Sequence, residues 1–160
     1  PQRSGGVPGG GVAKMCFSGN YTHQDMKLKF KGKGGLVAYL GTSDLMFLEH
    51  YLDGKDVKQE DIDSLKPGVD KDFIKLCIEG MAYQIAKDIC ALGAVLKGDF
   101  DAIVLTGGII YDARIKPWII ERIEWMGKPI FCYPGGDEMG SLRDACVRAL
   151  DGSEPAKDYQ

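Results

Sequence analysis

The sequence lacks the features that mark several classes of protein. Its five cysteines are an odd number without C-x-x-C spacing, which argues against a zinc site and a disulfide framework and favours a reducing cytoplasm. The longest apolar runs, residues 36–40 and 103–105, are far too short to cross a bilayer, and no secretion signal is visible. The 20 Lys and Arg residues form no run, and the net charge is −3. We therefore predict a cytoplasmic protein that binds neither membranes nor nucleic acid.

Histidine is scarce as well. His23 and His50 are the only two, and neither has a partner acid or cysteine nearby in the sequence, so we interpret both as surface residues. The sequence shows no catalytic triad and no cluster of metal ligands. Chemistry in this chain must therefore be sought in its glycine-rich turns and in single charged residues beside them.

Glycine, by contrast, is abundant, and it is concentrated near the start of the chain. Residues 3–11 contain five glycines, and Pro1 is not an initiator methionine, so we interpret the chain as cut from a longer protein. The 160 residues, 44% of them apolar, suffice for one globular domain with its own core.

Hydrophobic periodicity predicts helices and one strand in the first part of the chain. Short helices are expected over residues 12–17 and 25–30, and the apolar run 36–40 reads as a buried strand. Asp44 is a suitable N-cap for a helix over residues 45–52, and Asp70 for a long helix that ends near residue 96. The predicted apolar stripe of the long helix is Ile74, Cys77, Met81, Ile85, Ile89, Leu92 and Val95.

The second part alternates regularly between strands and helices. The predicted elements are a strand over 101–105, a helix over 113–126, a strand over 129–133 and a helix over 138–150. Strands separated by helices imply parallel pairing with right-handed crossovers. Ligands then bind at the carboxyl ends of the strands, where the turns 41–44, 106–109 and 135–138 are expected to lie.

Several residues at these turns each have two interpretations. Gly107 and Gly108 end an apolar strand; they either let a phosphate or nucleoside approach the backbone or form an ordinary tight turn. Asp44 is either a helix cap or a ligand contact. Asp137 and Glu138 either hold a divalent metal through oxygen atoms or complement a helix dipole. Arg3, in its glycine-rich context, is either a mobile phosphate clamp or a solvated side chain.

Six segments, taken in order, resemble the C-terminal half of butyrate kinases. They are RSGGVP at 3–8, KMCFSG at 14–19, GKGGLVAYLGT at 32–42, MAYQIAK at 81–87, TGGI at 106–109 and YPG at 133–135. The resemblance covers nearly the whole chain. It implies a ribonuclease H-like α/β domain of the actin-like ATPase type, with a mixed sheet and flanking helices.

The resemblance also implies an activity and roles for particular residues. The expected reaction is phosphoryl transfer between ATP and a short-chain or branched-chain carboxylate, with Mg²⁺. Arg3 falls where the family has a catalytic arginine, and Asp137 or Glu138 falls at the acidic position linked to magnesium. The residues that fall at the nucleotide-binding positions are Asp44, Leu45, Met46, Gly107, Gly108 and Ile109.

The sequence departs from the family pattern at two places. Met46 stands where relatives usually carry an arginine, which puts one polar contact to adenosine in question. Ile110-Tyr111 follows the butyrate kinase pattern only in its tyrosine and lacks the Gly-Glu-Asn of acetate kinases, which favours the butyrate kinase branch. The resemblance implies a missing N-terminal domain that completes the active site, and a homodimer. The alternatives are a noncatalytic nucleotide-binding or assembly module, and a generic doubly wound domain for another phosphorylated metabolite.

Overall fold

The structure is a computed structural model that describes residues 5–136 and 138–155. Within these ranges the chain is mostly helical, with one small sheet, and belongs to the mixed α/β class. The helices are α1 Gly9–Cys16, α2 His23–Phe30, α3 Gly35–Leu40, α4 Leu45–Asp53, α5 Gln59–Asp63, α6 Lys71–Val95, α7 Ile115–Ile123 and α8 Glu138–Leu150. The strands are β1 Ile103–Gly107 and β2 Ile130–Pro134.

Side chains of the N-cap residues fix the starts of α2, α4 and α6. Thr22 opens α2 with a capping box, in which its hydroxyl accepts a hydrogen bond from the Asp25 backbone N–H. Asp44 opens α4, and Asp70 opens the 25-residue helix α6, each by accepting a bond from the N–H three residues later. The predicted capping roles of both aspartates are confirmed.

The predicted strand over residues 36–40 is wrong, because this segment is the helix α3. Leu36 and Leu40 are four residues apart and both are buried, so they lie on the one face of α3 that packs into the core. Gly41 ends the helix in the left-handed conformation, with φ of +96°, and a side chain there would collide with the Ser64 carbonyl. The turn 41–44 therefore follows a helix and does not lie at the end of a strand.

The two strands pair in parallel, as predicted, with Ile103 opposite Ile130 and Gly107 opposite Pro134. β1 begins two residues later than expected and includes Thr106 and Gly107. The sheet is two-stranded and entirely parallel in the described part of the chain, which contains no mixed sheet.

The core lies between α6 and α7. On α6 the buried residues Ile74, Ile78, Ala82 and Ala86 follow one another at steps of four, and α7 buries Ile115, Ile119 and Ile123 at the same step. Such rows form the ridges by which helices pack together. The predicted stripe of α6 is partly wrong, since Leu92 and Val95 are exposed.

Two further predictions concern cysteines and membranes. All five cysteines are free thiols, as the odd count and scattered spacing predicted. Among the helices in the described ranges, none combines the length and apolarity that crossing a bilayer requires.

Candidate functional site

The turns that follow β1 and β2 are joined to each other. The Gly107 N–H donates to the Gly135 carbonyl at 3.2 Å, and the Gly135 N–H donates to the Gly107 carbonyl at 3.0 Å. The Thr106 hydroxyl also donates to the Gly135 carbonyl, at 3.3 Å. The expectation that these two turns lie together is confirmed, but the Gly107 amide is occupied and does not point to a phosphate.

Gly108 and Ile109 form the start of a 3₁₀ turn, Gly108–Tyr111. A methyl group added at Gly108 would meet nothing within 4 Å, so the chain itself does not require glycine there. The open space leaves room for a ligand to approach the backbone. Ile109 is half-buried and packs against the core, which anchors this turn.

Tyr111 covers the second turn. A methyl group added at Gly135 would lie 2.6 Å from the Tyr111 hydroxyl oxygen, so the phenol ring rests directly against this glycine. Gly135 has a φ of +80°, which independently favours glycine. Tyr111 is nevertheless 71% exposed, and its ring lies beside the strand ends.

Asp112 is the one buried charged residue in the described part of the chain. Its carboxylate accepts hydrogen bonds from the backbone N–H groups of Arg114 and Ile115, both at 2.8 Å. These bonds cap the start of α7 and hold the chain that leaves the Gly108 turn. The sequence carries the same signal as at Asp44, an aspartate three residues before an apolar helical residue.

An ion pair connects this region to α4. The Arg114 guanidinium contacts the carboxylate of Asp53, the last residue of α4, and Lys55 lies 3.0 Å from the same carboxylate. Hydrogen bonding to Arg114 and then to Lys55 lowers the pKa of Asp53, and the same bond raises the pKa of Arg114. Because 61 residues separate the two partners, no local pattern in the sequence predicts this contact.

A cavity of about 420 Å³ lies beside the first turn of α4. It is lined by Asp44, Met46, Phe47, His50, Asp56, Val57, Lys58 and Asp61. Three carboxylates against one ammonium group make the lining acidic at neutral pH. Such a surface repels phosphate, but its oxygen atoms accept hydrogen bonds from hydroxyl and amino groups.

The predicted nucleotide-binding residues thus fall into three places: the cavity, the core and the end of β1. Asp44 and Met46 line the cavity, and the Asp44 carboxylate also accepts the Phe47 N–H at 3.0 Å. Leu45 is half-buried and packs against the core. Gly107, Gly108 and Ile109 are not part of the cavity lining.

The predicted catalytic and metal-binding side chains are not described by the structure. Arg3 and Asp137 lie outside the described residues, and only the backbone of Glu138, the first residue of α8, is described. The described residues contain no group of three or more His, Cys, Asp or Glu side chains arranged to hold a metal ion. The roles of Arg3, Asp137 and Glu138 therefore stay predictions.

The chain is similar along its whole length to known proteins, although no family model matches it. It is 42% identical over 161 aligned residues to a probable butyrate kinase of Elusimicrobium minutum, covering 100% of this chain and 42% of the relative. It is 39% identical over 161 residues to butyrate kinase 2 of Clostridium acetobutylicum, covering 100% and 40%. This chain is a butyrate kinase homologue.

A third relative matches this chain with similar identity and coverage. The probable butyrate kinase 2 of Caldanaerobacter subterraneus subsp. tengcongensis is 43% identical over 159 residues, covering 99% of this chain and 40% of the relative. The homologue thus spans about two fifths of the length of the curated relatives that it matches. The family resemblance identified from the six ordered segments is confirmed.

Proposed function

We propose that this chain is the ATP-binding part of a cytoplasmic carboxylate kinase. In the proposed reaction an oxygen of a short-chain or branched-chain carboxylate attacks the γ-phosphorus of ATP. The bond from that phosphorus to the β–γ bridging oxygen breaks, which gives an acyl phosphate and ADP. The observation that carries the proposal is the similarity of the whole chain to butyrate kinases.

The described geometry supports a division of labour along the nucleotide. The acidic cavity at Asp44 and Met46 suits the uncharged nucleoside, because carboxylate oxygens accept bonds from ribose hydroxyls. In the proposal the same ligand extends to the turn after β1, where the open space at Gly108 leaves the backbone accessible. In the proposal the phosphates point away from the cavity carboxylates.

The charged chemistry is assigned to residues whose side chains lie outside the described part of the chain. Arg3 is proposed to neutralise charge on the transferring phosphoryl group, since catalysis of this reaction is mainly positioning and electrostatic stabilisation. Asp137 or Glu138 is proposed to hold Mg²⁺ through carboxylate oxygens, the atoms this ion prefers. Bound there, the ion would neutralise phosphate charge.

The proposal includes the part of the protein outside these 160 residues. A ribonuclease H-like domain of the actin-like ATPase type closes on ATP together with a second domain, and that N-terminal domain would supply most of the acid pocket. Closure excludes water from the transferring phosphoryl group. The exposed small residues of α6, such as Gly80 and Ala91, are consistent with a homodimer.

The test uses the full-length protein that contains this chain. It is incubated with ATP, Mg²⁺ and butanoate or a branched-chain acid, and acyl phosphate is trapped with hydroxylamine. We expect hydroxamate to form, and an Arg3→Ala variant to be slower by on the order of 100-fold or more. Absence of acyl phosphate with every short acid tried would refute the kinase.

A second candidate is a noncatalytic nucleotide-binding or assembly module. It is favoured by Met46, which stands in the cavity without the charge that relatives usually place there, and by Ile110, which is buried in the core. The same experiment separates the two. Binding of an ATP analogue without turnover would support the module, whereas turnover would exclude it.

A further inference from the structure

The glycine-rich opening of the described chain meets α6 at one side chain. A methyl group added at Gly5 would lie 3.2 Å from the Gln84 Cγ atom, and one added at Gly6 would lie 3.3 Å from the Gln84 Nε2 atom. At residues 9–11, which are also glycines, an added methyl group would meet nothing within 4 Å. The Gln84 side chain therefore lies directly against the backbone of Gly5 and Gly6.

The Gln84 amide is held in place from within α6. Its Nε2 donates a hydrogen bond to the Asp88 Oδ1 at 3.1 Å, one helical turn further along. Since an ionised carboxylate only accepts hydrogen bonds, this partner fixes which end of the amide carries the N–H groups. The amide thus has a defined orientation where it meets the loop.

Gln84 does not belong to the row of α6 that packs in the core. That row includes Ala82 and Ala86, both of which are buried. Residues two apart on an α-helix lie about 200° apart around its axis, so Gln84 points away from both alanines. It is nevertheless half-buried. Shortening its side chain would remove the contact with the loop and leave the packing of the core row unchanged.

The backbone that Gln84 supports would otherwise have wide conformational freedom. Glycine loses more freedom on ordering than any other residue, and Gly5 has a φ of +68°, in the left-handed region. Arg3 lies outside the described residues, but it is only two positions before Gly5, and two residues of chain span at most about 7 Å. A contact that holds Gly5 and Gly6 therefore limits the region from which the Arg3 guanidinium can act.

We propose that Gln84 is a positioning residue for the proposed phosphoryl transfer. Its amide supports the backbone at Gly5 and Gly6, and this support fixes the position from which Arg3 neutralises the transferring phosphoryl group. The inference rests on the proposed function and on the role proposed there for Arg3. A misplacement of about 1 Å caused by a change far from the chemistry can cost on the order of 100-fold in rate, so the support has a measurable kinetic effect.

The first test compares two glutamines in the full-length protein by the hydroxylamine assay. Gln84→Ala is expected to lower kcat about tenfold and to change KM for ATP by less than about twofold, because the cavity beside α4 is untouched. Gln59→Ala is the control, since Gln59 makes the same bond to an aspartate four residues later, at 2.9 Å, but is exposed on α5. It should leave kcat unchanged.

The outcomes separate this inference from the proposed function. Equal kcat values of the two glutamine variants, in a protein that turns over, would overturn the role of Gln84 and leave the kinase standing. Absence of acyl phosphate from the natural protein would overturn both.

The second test separates positioning from a general loss of structure. In an Arg3→Ala protein, Gln84→Ala is expected to lower the remaining kcat by less than about twofold, because the side chain that Gln84 positions is gone. A full further loss of about tenfold would show that Gln84 acts by another route and would overturn the proposal.

The contact itself is tested from the side of the loop. Gly6→Ala places a methyl group against the Gln84 amide and is expected to lower kcat by at least about threefold. Gly10→Ala makes the same change where the methyl group meets nothing within 4 Å, and it should leave kcat unchanged. Equal kcat values of these two variants would show that the contact with Gln84 does not govern the loop, which also overturns the proposal.

Discussion

The strand-end region and the cavity beside α4 each contain an aspartate whose carboxylate accepts backbone N–H bonds at the start of a helix, but the surroundings differ. In the first region, the Asp112 carboxylate accepts hydrogen bonds from two backbone N–H groups, and the residue is only 8% exposed. In the second, the Asp44 carboxylate accepts one hydrogen bond, from the Phe47 backbone N–H, and the residue is exposed. The Asp112 carboxylate is thus used to hold the backbone at the start of α7. Asp44 completes its helix and still lines a cavity. The difference teaches that a capping aspartate is a candidate for ligand binding only where the fold leaves space beside it.

The largest effect is expected from removing the buried cap. Asp112→Ala leaves the N–H groups of Arg114 and Ile115 without their partner, which should cost about 2 kcal/mol of unfolding free energy. Urea denaturation measures this loss. A cost below about 0.5 kcal/mol would show that Asp112 contributes no more to the unfolding free energy than an exposed cap such as Asp44.

The contact between Tyr111 and Gly135 gives the next largest effect. Gly135→Ala forces a side chain into φ of +80° and pushes the phenol ring away, for a cost of about 1–2 kcal/mol. Removing the ring with Tyr111→Ala should abolish the part due to the collision and leave the backbone part. A double-mutant cycle in urea denaturation measures that coupling, and strict additivity would contradict the contact.

A substitution at Asp44 separates capping from ligand binding. Asp44→Ser keeps a cap but shortens the side chain, so stability should fall by only a few tenths of a kcal/mol. Affinity for a non-hydrolysable ATP analogue, measured by calorimetry on the full-length protein, should fall about tenfold. Asp70→Ser makes the same change at the start of α6 and is the control. Equal affinities of the two variants would remove Asp44 from the proposed site.

The smallest effect concerns the ion pair that joins the two regions. Arg114 lowers the pKa of Asp53 in the folded chain, so the pair contributes stability above the ordinary carboxyl pKa of about 3.9. That contribution is lost as pH falls through the lowered pKa. Asp53→Asn should therefore be less stable than the natural chain at neutral pH and equal to it in strong acid. Urea midpoints across that range measure this, and a difference independent of pH would contradict it.

Local signals predicted most of the helices and both strands. Asp44 and Asp70 cap helices that begin where expected, because an N-cap acts within three residues. The segment 36–40 was misassigned because a short apolar run suits a strand and a buried helix equally. In the structure Gly41 ends this segment as a left-handed C-cap, which is a signal for the end of a helix.

The site was less predictable, for a physical reason. The Asp53–Arg114 ion pair and the Gly107–Gly135 hydrogen bonds join residues that are distant in the chain, and periodicity carries no information about such pairs. The Gly-Gly motif located the end of β1 to within two residues, since the strand was expected to end at residue 105 and ends at Gly107. It did not reveal that the Gly107 amide is already occupied.

The paired hydrogen bonds between Gly107 and Gly135 have a mechanical consequence. Since each glycine both donates to and accepts from the other, moving one turn relative to the other would break two hydrogen bonds. A molecule that displaces the backbone at Gly108 would pull Gly135 with it, three residues before α8 begins. A ligand at the end of β1 would thereby also be felt at the end of β2.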